Sequence, residues 1–194
     1  MSRKDISDYV IHFTKGDTPE DAFRRLQKII SDGFLLGSDG MIKGGYDCVC
    51  FSEAPIESLP NGLINPDYYS HYSPFGIMFS KQFIFERGGR PAIYQPDNEF
   101  ISLSESHRWR HVRYEPPEID FSWEREWRVK CESLQFDEES ATIVVKNVAW
   151  IDRLKMEHES EQDFRVIEYS LIFDTELAEM YRTPFQWKVA PLRK

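Results

Sequence analysis

The stretch "YVIHFTKGDTPEDAFRRLQKIISDGF", residues 9–34, contains the change of rhythm that decides the fold. Its first six residues are β-branched or aromatic. Alternation puts Tyr9, Ile11 and Phe13 on one face and Val10, His12 and Thr14 on the other, as expected of an early, central strand. From Thr18 the period lengthens to that of a helix. Thr18 is placed to cap it, Pro19 suits the first position, Glu20 and Asp21 oppose the helix dipole, and Gly33 terminates it. Phe23, Leu26 and Ile30 share the face to be buried, with Ala22 and Ile29 at its flanks.

Working outward, "DCVCFSEAP" (47–55) reads as a second strand that stops at Pro55. "FGIMFSKQF" (75–83) and "RPAIYQP" (90–96) read as two more, separated by the turn-prone "ERGGR". "HRWRHVRYE" (107–115) alternates, "EWRVKC" (126–131) follows, and "ATIVVKNVAWI" (141–151) supplies another apolar run. The acidic "DRLKMEHESEQDFRVIEYS" (152–170) is read as a helix with flanking loop, and "FQWKVAPL" (185–192) as a last strand. Many strands with few helices, and no regular strand–helix–strand alternation, predict an α+β domain with a mainly antiparallel β core. A chain of 194 residues suits a single domain over residues 1–194.

Composition narrows the classes. Hydrophobic residues make up 41% of the chain and aromatic ones 14%, which excludes a disordered tail. The N-terminal "MSRKDISDYVIHF" has no apolar run suited to a signal peptide or membrane span, so a cytoplasmic protein is expected. Cys48, Cys50 and Cys131 match neither a CxxC redox motif nor a zinc half-site and read as buried thiols. The net charge of −9 is carried by residues 131–181, with 13 acids against 4 bases. The remainder is balanced, so an anionic ligand on the N-terminal two-thirds is compatible with the charge. The acidic segment reads as a solvated surface, or as a face that repels nucleic acid or meets a basic partner.

P-loop, Rossmann, α/β-hydrolase and zincin signatures are all missing. His107 and His111 lie four apart without a cysteine or acid at metal spacing, so no metal site is expected. The charged stretch that calls for explanation is "FSWEREWRV" (121–129). Read as a strand, it sets Glu124, Glu126 and Arg128 on one face and Trp123, Arg125 and Trp127 on the other. That face is either an exposed ion-pair ladder or the polar lining of a cleft. A lone strand histidine such as His12 is more often a hydrogen-bonded structural residue than a catalytic one.

Taken in order, "HFT" on an early strand, the helix after it, "CFSE", "PFGIMFSKQFIFERGGRPAIY" and the late "EREWRV" resemble the ADP-ribosyltransferase superfamily. The resemblance is to its phage-defence and toxin branch of DarT-type nucleic-acid ADP-ribosyltransferases, the CmdT toxin and AbiGi-like proteins. It covers residues 9 to 130 in motif order and implies an ADP-ribosyltransferase-like split β fold with NAD as co-substrate. By this resemblance His12 bonds the adenosine-side ribose and Thr14 contacts the nicotinamide amide. Glu126 would bond the nicotinamide ribose 2'-OH, Ser52 would lie near that ribose, and Glu124 would be the first acid of an E-x-E pattern. The chain departs from the family in lacking an S-T-S triplet. Tyr46, Tyr72 and Tyr94 remain open for the stacking tyrosine, and Arg87 and Arg90 are either phosphate contacts or parts of a plain turn.

A carboxylate fixed beside the ribose suits such a reaction, because cleaving a glycosidic C–N bond builds positive charge that a carboxylate stabilises more in the transition state than in the ground state. In "HRWRHVRY", Arg108, Trp109 and Arg110 form the one concentrated basic and aromatic stretch, suited either to stacking on an unpaired base of RNA or DNA or to a cross-strand ion-pair face. Its alternation sets Arg108 and Arg110 opposite His107, Trp109, His111 and Arg113. "YEPPEIDFSW" has the position of the family's substrate-recognition loop. The resemblance further implies an antiphage toxin neutralised by an antitoxin or chaperone-like partner. The alternatives are a protein-directed mono-ADP-ribosyltransferase and a non-catalytic interaction module or antitoxin on a degenerate transferase fold.

Overall fold

Strand β1 (Tyr9–Phe13) is built from residues whose branched or aromatic side chains pack on both sides of a sheet. Val10 joins the larger core, while Ile11 and Phe13 join Met78, Val144 and Leu192 in a second cluster. The computed structural model describes residues 6–53 and 72–192; Pro55, read above as a strand stop, lies outside them.

Helix α1 (Pro19–Asp32) begins where its capping signals put it. The Thr18 hydroxyl accepts from the Asp21 amide, Pro19 opens the first turn, and Gly33 at φ 70° closes the last. Ala22, Phe23 and Leu26 are fully buried against the sheet, with Ile29 and Ile30 at the margin. Thr18→Ala is expected to lower stability by about 1 kcal/mol, measured as a shift in the urea midpoint at unchanged slope.

After β2 (Phe34–Leu36) come β3 (Cys48–Ser52) and β4 (Gly76–Ser80). Both β3 and β4 pair antiparallel with β1, with Ile11 opposite Ser52 and His12 opposite Ile77. Gly76 is required where these strands meet, because a Cβ there would collide with the His12 carbonyl oxygen. The described remainder adds α2 (Lys81–Glu86), β5 (Arg90–Pro91), β6 (Ile93–Gln95), β7 (His111–Arg113), β8 (Glu126–Lys130), β9 (Ser133–Gln135), β10 (Ala141–Val145), α3 (Val148–Ser170), α4 (Thr175–Glu179) and β11 (Lys188–Pro191). Among the described residues the main sheet has seven strands in the order β11-β10-β4-β1-β3-β8-β5, antiparallel except for β10 with β11. This is a mixed α+β architecture with a large, mostly antiparallel sheet and a few helices, as the pattern of apolar runs predicts.

Three segments depart from the sequence reading. "FGIMFSKQF" is strand only to Ser80, whose hydroxyl accepts from the Phe83 amide and starts α2. In "HRWRHVRYE" the strand is confined to His111–Arg113; Glu105–Arg110 winds as a 3-10 helix that buries Trp109 with Ile42 and Cys48. "FSWEREWRV" is likewise strand only from Glu126. Ser122–Glu124 forms a 3-10 turn, and Arg125 takes the left-handed conformation at φ 46°. A non-glycine residue in that region costs on the order of 1–2 kcal/mol, so surrounding bonds must hold it. The Glu53 amide does so by donating to the carbonyls of both Glu124 and Arg125.

Candidate active site

The centre of the sheet carries the polar groups. β1, β3 and β8 are neighbours in the order just given, so His12, Cys50 and Glu126 come together from three strands. They line one cavity of about 190 Å³, shared with Ser52, Tyr72 and Lys15. His12 is half-buried, and its Nδ1–H donates to the Cys50 carbonyl at 2.9 Å. Burial pushes its pKa down, with Lys15 adding in the same direction and the Cys50 bond opposing. The imidazole is therefore neutral at pH 7, and with Nδ1 protonated its Nε2 is an acceptor.

Glu126 is held from two sides. Arg128 Nε donates to Oε1 at 2.8 Å and Arg128 Nη2 to Oε2 at 3.1 Å, while the Glu126 amide donates to the Tyr94 hydroxyl at 2.7 Å. Arg128 is only 4% exposed, and its Nη1 donates to the carbonyls of Trp109 and His111 at 3.0 and 2.8 Å. An exposed ion-pair ladder is thus excluded for this face: the pair is a buried, bidentate clamp. Behind the strand the Trp127 indole N–H donates to Glu53 at 2.7 Å, and Lys81 pairs with Glu53 at 2.6 Å.

Glu124 reaches the same neighbourhood from the 3-10 turn. The Tyr72 hydroxyl donates to its Oε2 at 3.0 Å, and the Ser52 hydroxyl donates to its backbone carbonyl at 2.9 Å. Burial pushes its pKa up to about 7; the Glu126 charge adds to this, while the Tyr72 bond and Lys15 oppose it. Burial and the Glu124 charge also raise the Tyr72 hydroxyl well above its ordinary range. Burial raises Cys48 to about 11 and Cys50 further, with Glu126 adding at Cys50, so both remain thiols. A carboxyl that binds its proton more tightly in the folded state contributes stability that is complete below about pH 4.5 and lost as pH rises through about 7. Glu124→Gln is expected to flatten that part of the stability profile, measured as the difference in denaturant midpoint between pH 4.5 and 7.5 for variant and parent.

The other residues singled out in the sequence lie outside the cavity lining. The Thr14 hydroxyl donates to the Phe75 carbonyl at 3.2 Å, one residue past the end of β1. Arg90 donates to the carbonyls of Phe85 and Gly89 and stacks over the Phe85 ring, the plain-turn alternative. Arg108 donates to Leu103 and lies over Phe100, and Arg110 donates to Pro91. The alternation expected for this stretch is corrected: the 3-10 turn rotates Trp109 into the core, where its indole N–H donates to Ser106 and its ring is withdrawn from any base. Of the candidate tyrosines, Tyr72 lines the cavity, Tyr94 braces the Glu126 backbone, and Tyr46 packs beside Ile42 and Trp109.

Lys15 and the clamping role of Arg128 escaped the sequence reading, and Cys50, read there as a buried thiol, is only partly buried and lines the cavity. Lys15 had a signal, being the first cation after the His12 strand. Among the described residues no group of histidine, cysteine and carboxylate side chains is arranged to hold a metal ion, and no helix is long and apolar enough to cross a membrane. No family model matches the chain, and no curated protein or solved structure matches it either.

Proposed function

We propose that the chain is an NAD-dependent mono-ADP-ribosyltransferase with an ADP-ribosyltransferase-like split β core, whose acceptor is a single-stranded RNA or DNA base. The observation that carries the reading is the convergence of neutral His12 and clamped Glu126 on one cavity. At about 190 Å³ the cavity is smaller than clefts that enclose whole ligands, roughly 300–1,000 Å³, and suits one end of a dinucleotide. When bound there, NAD supplies the ribose whose bond to nicotinamide is cleaved. His12 Nε2 accepts a ribose hydroxyl, and Lys15 offers a positive charge to the phosphates in place of Arg90. Glu126 keeps free lone pairs on both oxygens beside the Arg128 bonds, so it can still accept from the nicotinamide ribose. Glu124, its pKa pushed up to about 7 by burial and its carboxyl joined to the cavity through Tyr72, would take a proton from the acceptor.

The target rests on Arg108 and Arg110, whose guanidinium groups bond the Leu103 and Pro91 carbonyls and still carry positive charge for a phosphate backbone. A cytoplasmic toxin controlled by an antitoxin belongs to the same proposal. A second reading, a non-catalytic module, draws support from the bidentate occupation of Glu126 by Arg128. Incubation of the purified chain with labelled NAD and separate RNA, DNA and protein acceptors distinguishes them. Label is expected on single-stranded nucleic acid; label on protein alone identifies a protein-directed transferase, and no label on any acceptor supports the module.

A further inference from the structure

Helix α3 carries an apolar stripe on the side turned away from the body of the protein. Leu154, Gln162 and Val166 are buried, which fixes the inward face, while Arg153 ties the N-terminal part of the helix to Glu20 of α1, so the stripe is open only C-terminal to Arg153. At 100° per residue, Met156, Phe164, Ile167 and Leu171 fall within one narrow band opposite that face. They are 61–82% exposed, and Phe164, Ile167 and Leu171 have the 3-4 spacing of a helix–helix seam. At the turn into α4, Ile172 is 76% exposed, as is Met180 at 78% beyond α4. Isolated exposed apolar residues are ordinary, but an aligned stripe on a 23-residue helix is the pattern of a docking face.

Charge decides the occupant. Glu161 and Glu168 flank the stripe on one side, and Asp152, Glu159 and Asp163 on the other. Between Asp152 and Arg182 there are nine acids against four bases, and the arginines already pair internally with Glu157, Glu161, Asp163 and Glu179. A second copy would bring these acidic flanks together, and an anionic membrane or nucleic acid would meet the same repulsion. We infer that this face of α3 binds a partner protein through an amphipathic helix whose apolar ridge is bordered by lysine and arginine. The inference stands on α3 alone and is independent of the chemistry at Glu126.

Fluorescence anisotropy with the full chain and two synthetic helical peptides tests it, the peptides sharing a leucine–isoleucine ridge but bordered by lysine and arginine in one and by glutamate in the other. The basic peptide is expected to bind, with affinity that falls as salt rises. Phe164→Ser with Leu171→Ser is expected to weaken it by at least about tenfold, without change in thermal midpoint. The inference is overturned by no binding of the basic peptide, by equal binding of both peptides, or by light scattering that reveals a dimer dissolved by the same substitutions. Binding of the parent chain to anionic vesicles in preference to the basic peptide also overturns it.

Discussion

Glu126→Gln is expected to reduce label transfer from NAD by about 10²–10³-fold or more, the loss typical when a preorganised electrostatic stabiliser is removed. The physical reason lies in timing. A carboxylate beside the ribose interacts weakly with neutral sugar and strongly with the charge that develops as the C–N bond lengthens, so its removal falls on turnover more than on binding. The amide also leaves the Arg128 guanidinium without its anion, so the variant's denaturation curve must place it folded at the assay temperature. Glu126→Asp separates charge from reach: it keeps an anion for Arg128 but withdraws the carboxylate by one methylene. It is expected to stay near parental stability while losing most transfer. Unchanged transfer in both variants would remove Glu126 from the reaction.

The second large effect is on stability. Arg128→Ala is expected to destabilise the fold by about 3–5 kcal/mol, the range seen when one member of a buried ion pair is deleted. That is a large part of the 5–15 kcal/mol that holds an ordinary domain together. The loss exceeds the ion pair itself, because Arg128 also satisfies the carbonyls of Trp109 and His111 and so fastens the 3-10 segment to β8. Adding Glu126→Gln to Arg128→Ala is expected to recover part of the loss, since the carboxylate is then no longer left buried and unpaired. A chemical denaturation series on the parent, the two single variants and the double variant gives the coupling. Additive losses would show that the clamp is not the source of the cost.

These two residues also mark how far the sequence could be read. β1 and α1 were legible because their signals are local: alternation over Tyr9–Phe13, the Thr18 cap, Pro19 and Gly33 all lie within the segments they shape. Placing Glu126 and Arg128 on one face followed from strand alternation alone. Burial of that face did not follow, because it depends on Trp109 and His111 arriving from a segment whose own alternation imitates a strand. The 3-10 conformation of Glu105–Arg110 is a tertiary outcome, in which core space beside Ile42 and Cys48 outweighs the local pattern. Arg125 is similar: its left-handed backbone is held by the Glu53 amide, a partner 72 residues away that no period in the sequence announces. Ser80 was the overlooked local signal, a serine three residues before the amide it caps.

Hydrogen–deuterium exchange of the parent chain with and without saturating NAD tests the central claim most directly. The account predicts slowed exchange in β1 around His12, in β3 around Cys50 and across Glu124–Arg128, with little change in α3. Protection confined to other elements, or none at saturating NAD, would contradict it.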